Sequence, residues 1–126
     1  MKLLIVDDDP DVARMLMRVM ESRGHAVSHC ASPFGVSALI LRDPPDLVIL
    51  DVNMPGLEGP ALAALIANLP LKRRPQAILW SAMAPDELRR IGLQAGLPTV
   101  QKVMSPMELA SRLEKMAQNV TGKQPL

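Results

Sequence analysis

Tyrosine is absent from this chain, and phenylalanine, tryptophan and cysteine occur once each, as Phe34, Trp80 and Cys30. A single cysteine excludes an internal disulfide framework and fits a reducing compartment. With so few aromatics, leucines and nine methionines must fill the core, which makes it adaptable. No apolar run approaches the roughly 18 residues that cross a membrane. The opening MKLLIVDDD reaches charge after four apolar residues, too short a stretch for a secretory signal. A cytoplasmic chain with no membrane partner is therefore expected. The net charge of +1 gives neither a basic surface for nucleic acid nor an acidic disordered tail. At 126 residues, nearly half of them apolar, the chain suits one domain with a real core. That domain is expected over 1–120, with a polar, flexible tail over 121–126.

What the sequence does have is an alternation of short apolar runs and amphipathic stretches. Lys2–Val6, 47–50 and 77–80 read as strands buried on both faces. The mixed segment 25–30 and the run 97–101, interrupted by Pro98, read as edge strands, because proline cannot serve a ladder on both sides. Between them lie helical patterns. Asp9 caps the first, Pro10 suits its first position, and Val12, Met15, Leu16, Val19 and Met20 form its apolar stripe, with Gly24 as its stop. A second helix is expected over 34–41, with Val36, Leu39 and Ile40 inward. Leu62, Leu65, Ile66 and Leu69 stripe a third. The fourth is expected over 85–95, stopped by Gly96. The last is expected over 105–120, with Ser105 and Glu108 as a capping box and Leu109, Leu113, Met116 and Val120 inward. Strands alternating with helices predict an α/β fold: a five-stranded parallel sheet in the order 2-1-3-4-5, doubly wound by helices.

In such a sheet, ligands bind outside the carboxyl ends of the strands, at the switch point between the first and third. The first strand runs into Asp7-Asp8-Asp9, the third into Asp51, the fourth into Ser81 and the fifth into Lys102. Parallel strands would gather these ends on one edge. Clustered carboxylates repel one another unless a cation joins them, so the pattern predicts an acidic metal site with a lysine beside it. That arrangement suits phosphoryl chemistry. Asp9 is read as a helix cap. Asp7 and Asp8 could open a helix in the same way, since acids suit helix N-termini, but Asp51 and Lys102 at matching strand ends favour a site. His25 and His29 lack a third ligand and are read as surface residues. Lys72-Arg73-Arg74 is read as a solvated turn, and Cys30 as a small buried hydrophobe. Gly56 and Gly59 are read as turn residues after Asp51.

These residues, Val6-Asp7-Asp8, Asp51-Val52-Asn53-Met54-Pro55-Gly56, Ser81-Ala82 and Lys102, resemble the receiver domains of two-component response regulators, in particular the single-domain chemotaxis regulators. The match runs from Lys2 to Val120. It implies that Asp51 accepts a phosphoryl group from phosphohistidine. It also implies that Asp8 and Asp51, the Asn53 carbonyl and, through water, Asp7 hold Mg²⁺. Lys102 would neutralise charge on the transferred group, and the Ser81 hydroxyl would bond a phosphoryl oxygen as the switch. The implied partners are a sensor histidine kinase or a phosphotransfer protein, and a downstream protein or an output domain missing from this chain. Direct nucleic-acid binding is not implied. A homodimer is open: Glu87, Arg89, Arg90, Glu108 and Arg112 could pair between copies or simply face water.

Three positions depart from the family pattern. Val103 stands where a proline in a cis bond usually follows the lysine. A cis bond before valine costs roughly 2.5–4 kcal/mol, so a trans bond and a reshaped loop are expected. Thr99 replaces the usual switch aromatic. Met83, apolar, cannot position a hydrolytic water, which predicts slow self-dephosphorylation. Two rival readings follow: a degenerate receiver acting as a phosphorylation-independent interaction module, and a small phosphatase working through an aspartyl phosphate. The second needs an acid two residues beyond the nucleophile, where this chain has Asn53.

Overall fold

The computed structural model describes residues 1–103 and 105–122, with side chains in the last helix as far as 117. Strands and helices alternate: β1 (Lys2–Val6), α1 (Pro10–Ser22), β2 (Ala26–Cys30), α2 (Val36–Arg42), β3 (Leu47–Asp51), α3 (Gly59–Ala67), β4 (Gln76–Ser81), α4 (Pro85–Ala95), β5 (Thr99–Gln101) and α5 (Pro106–Gly122). The strands form one parallel sheet in the expected order, β2-β1-β3-β4-β5.

Side chains alternate across a strand, so each central strand feeds two cores. Leu3, Ile5, Leu47, Ile49, Ile78 and Trp80 meet Leu16 and Met20 of α1 and Leu109 and Leu113 of α5. Leu4, Val6, Val48, Leu50 and Leu79 meet Val36 and Ile40 of α2, Leu62 and Ile66 of α3 and Leu88 of α4. All five residues of β3 are buried, as a strand between two others and two helical layers requires. Among the described residues no helix is long and apolar enough to cross a membrane.

Local rules set several boundaries. The backbone N–H groups of Asp11 and Val12 donate to Asp9 Oδ1 at 3.0 and 3.4 Å, so Asp9 caps α1 as expected. Glu108 N–H donates to Ser105 Oγ at 3.3 Å at the start of α5. Other expectations fail. The second helix begins at Val36, not residue 34, because Gly35 adopts φ +86°, a left-handed conformation outside the helical region. Phe34 therefore lies outside the helix and is 72 % exposed. Met15 and Leu65, expected inward, are exposed, while Ala13 and Ala63 are buried in their helices' contact faces. β5 is three residues long and Pro98 precedes it, its carbonyl accepting from Leu79 N–H at 3.0 Å. α5 continues to Gly122, past the expected end at 120. The side chain of Val120, and the 123–126 portion of the expected tail, lie outside the described residues.

Candidate functional site

The register of the sheet places the strand ends. Val6 pairs with Leu50, so Asp7 and Asp51 leave adjacent strands at the same level. Asp51 pairs with Trp80, and Ser81 with Gln101, so Lys102 follows one residue beyond the level of Ser81. The result is a cluster in which carboxylate oxygens of Asp7, Asp8 and Asp51 all lie within 4.8 Å of one another. Lys102 Nζ lies 2.8 Å from Asp7 Oδ2 and 3.4 Å from Asp51 Oδ1. It also sits 5.1 Å from the centroid of the Trp80 ring. The Lys102–Val103 peptide is trans, as expected without proline, and the ammonium still reaches the carboxylates.

Each acid is held differently. Asp7 is wholly buried; its Oδ1 accepts from Asp9 N–H at 2.9 Å, which fixes the turn into α1. Its Oδ2 accepts no well-directed hydrogen bond among the described residues and meets only the Lys102 charge, off the bonding direction. Asp8 is exposed at the mouth. Asp51 is 5 % exposed, and Asn53 N–H donates to its Oδ1 at 3.3 Å. Burial and then the charge of Asp7 push the Asp51 carboxyl up to about 6, against the opposing pull of Lys102 and of the Asn53 N–H. The backbone behind Asp51 leaves no slack. A Cβ on Gly59, at the start of α3, would lie 2.5 Å from the Asp51 carbonyl oxygen, so only glycine lets the helix pack there. That role differs from the turn expected of Gly59; Gly56, at φ +93°, does make the turn.

Three carboxylates facing one ammonium leave excess negative charge, and the donors are all hard oxygens. A small hard dication suits that set: it would relieve the repulsion that lifts Asp51 and engage the under-used Asp7 oxygen. Two open hollows elsewhere, one along α5 at Met107 and Ser111 and one between Met1, His25 and Glu114, lie away from this chemistry.

The structure thus brings Asp7, Asp8, Asp51 and Lys102 together. Ser81 lies buried on the neighbouring strand, its Oγ accepting from Met83 N–H at 3.1 Å. Sequence reasoning missed Trp80 beneath Lys102 and misread the histidines. His29 Nε2 donates to the Asp7 carbonyl at 2.8 Å, and His25 Nε2 lies 2.7 Å from Glu114 Oε2, so both are half-buried and bonded rather than free on the surface. Cys30 is only partly buried, at the edge of a core.

The family model for the response regulator receiver domain matches residues 3–114. The chain belongs to this receiver family. A 14.6 kDa protein of Leptolyngbya boryana is 33% identical over 110 residues, covering 86% of this chain and 84% of that one. The phosphate regulon transcriptional regulatory protein PhoB of Pseudomonas aeruginosa is 29% identical over 113 residues, covering 89% of this chain and 49% of PhoB. A response regulator structure from Chloroflexus aurantiacus superposes with a TM-score of 0.83 at 31% identity, covering 93% of this chain and 97% of that one. This receiver accordingly spans about half the length of PhoB. It is a receiver domain of two-component response regulators, and the reading as a degenerate binding module is not favoured. Receiver domains are phosphoacceptors rather than turnover enzymes; they bind Mg²⁺ in their acidic pocket and work with histidine kinases or phosphotransfer proteins and with output domains.

Proposed function

We propose that this receiver takes a phosphoryl group onto Asp51. The observation that carries the reading is the Asp51 carboxylate at the end of the central strand, with Lys102 at 3.4 Å and Asp7 and Asp8 beside it. An Asp51 oxygen attacks the phosphorus of a phosphohistidine. An acyl phosphate O–P bond forms, the N–P bond breaks, and its electron pair stays on the imidazole, which takes up a proton. Asp8, Asp51 and the Asn53 carbonyl, with Asp7 through water, are the residues that would hold Mg²⁺. When bound, that ion supplies electrostatic stabilisation of the charge on the phosphoryl oxygens. Lys102 adds a second positive charge from the side of β5, where positioning and electrostatics do most of the work.

After transfer, the Ser81 hydroxyl turns from Met83 N–H to a phosphoryl oxygen, freeing the loop between β4 and α4. That loop is tied to β5 because Gln101 Nε2 donates to the Met83 carbonyl at 3.0 Å. The change therefore reaches the face built from α4, β5 and α5, which a downstream protein or output domain would read. Thr99 packs against Gly92 of α4 on that face, where a Cβ on Gly92 would meet Thr99 Cγ2 at 2.5 Å. Asn53 offers no general acid two residues beyond Asp51, which supports a phosphoacceptor with slow self-dephosphorylation beside Met83. The functional unit is the domain expected over 1–120, carried on to the end of α5 at Gly122, in a cytoplasmic setting that suits a single unpaired cysteine.

The test is intact mass after incubation with acetyl phosphate and Mg²⁺. One hydroxylamine-sensitive phosphoryl adduct on the wild type, absent from Asp51→Asn, is expected. An adduct of equal yield on Asp51→Asn would overturn the assignment.

A further inference from the structure

Lys102 sits at a weak point of the fold. It follows a strand of only three residues at the sheet edge, and Val103 after it is 74 % exposed. Its flexible four-carbon stem carries a strongly hydrated charge, so nothing in the backbone alone aims the ammonium. Among the described residues three groups hold it: Asp7, Asp51 and the face of Trp80. The two carboxylates are the groups whose partners change during the reaction. Asp51 becomes an acyl phosphate, and a dication would engage Asp51 directly and Asp7 through water. The ring is the partner that stays the same throughout.

Trp80 is built to stay still. It is fully buried, its backbone carbonyl accepts from Val52 N–H at 3.1 Å, and it is paired to Asp51 on one side and Val100 on the other. Its indole Nε1 finds no acceptor among the described residues, a cost that an aliphatic side chain in the same core would avoid. Packing alone does not account for an indole here. A cation within about 6 Å of the ring centroid is attracted to the face of the ring, most strongly for tryptophan and out of water. The side chain of Lys102 is only 15% exposed.

We propose that the Trp80 ring is a positioning platform that keeps the Lys102 ammonium aimed at the phosphoryl group while Asp7 and Asp51 change partners. This rests on the reading of Asp51 as phosphoacceptor and adds a residue that acts through Lys102 rather than on the substrate.

The experiment uses the full chain and has two readouts. Without metal or phosphodonor, ¹H–¹³C NMR places the Lys102 ε-methylene protons upfield through the ring current of Trp80, and Trp80→Leu returns them to the range of the other lysines. With acetyl phosphate and Mg²⁺, Trp80→Leu slows acyl phosphate formation about tenfold, and Trp80→Phe, which keeps a ring face, falls between it and the wild type. Mg²⁺ affinity is unchanged, because all three carboxylates remain. In a Lys102→Met background, Trp80→Leu has no further effect. An equal slowing by Trp80→Leu with and without Lys102 would reduce Trp80 to a packing residue and overturn the proposal. So would unshifted Lys102 protons in the wild type, a measurement that needs no variant to fold. No adduct on the wild type sinks the Asp51 assignment instead, and the ring-current shift still decides the contact.

Discussion

Asp51→Asn should make the metal-free protein more stable, and the gain should depend on pH. Burial and the Asp7 charge raise the Asp51 carboxyl from 3.8 to about 6. A shift of about two units corresponds to about 3 kcal/mol of cost for holding the charged form in the folded chain. Because the folded state binds this proton more tightly than the unfolded state, the stabilising contribution is fully present below about pH 4. It is lost as pH rises through about 6. Asparagine keeps the shape of the side chain and never ionises, so the variant avoids the loss; the opposing pull of Lys102 is already contained in the net shift. Urea unfolding in EDTA at pH 4, 6 and 8 is the assay. At pH 8 the midpoint of Asp51→Asn should exceed that of the wild type by about 1 M, using a slope of about 1–3 kcal/mol/M. At pH 4 the two should nearly coincide. Saturating Mg²⁺ should close the gap at pH 8 by stabilising the wild type, by about 2.7 kcal/mol at a hundredfold excess over Kd. If the variant proves less stable at pH 8, or the difference does not change with pH, burial and the Asp7 charge do not raise the Asp51 carboxyl in the folded chain.

Lys102→Met should do the opposite. It leaves the fully buried Asp7 with no cation, a loss of about 3 kcal/mol at neutral pH that Mg²⁺ should partly restore in urea titrations. Gly59→Ala should cost about 1–3 kcal/mol in the same assay and slow phosphorylation, since its Cβ would press on the Asp51 carbonyl. At the opposite end of the sheet, Arg23 and then His25 hold the Glu114 carboxyl down at about 2. Its contribution is present above about pH 4.5 and fades as pH falls through about 2. For this solvent-screened cluster, Glu114→Gln should cost about 1 kcal/mol at pH 7, with the gap narrowing at pH 3 in parallel urea titrations. Acyl phosphate on Asp51 should decay with a half-life well beyond seconds in Mg²⁺, as followed by intact mass, because Met83 offers no side-chain hydrogen bond to water; decay within seconds would count against that role.

The sequence by itself determined whatever depends on neighbours along the chain. Asp9 caps α1 because a carboxylate reaches N–H groups two and three residues on. Gly96 ends α4 through its own left-handed backbone. The apolar runs of β1, β3 and β4 could be placed because strands buried on both faces leave no polar alternation, and the strand order followed from that pattern. The acids at the strand ends were legible for the same reason: parallel pairing turns position in sequence into position on one edge. Tertiary structure decided which side of each helix met the sheet. Met15 and Leu65 carry the right spacing, yet docking exposes them and buries Ala13 and Ala63. It also decided what surrounds the charges. Trp80 and Lys102 are 22 residues apart in number and meet only because β4 and β5 pair in one register. The weakened acidity of Asp51 arises in the same way, from desolvation and from a carboxylate delivered by another strand. Caps and periods act over a few bonds, whereas burial and Coulomb fields act through space and exist only once the sheet has closed.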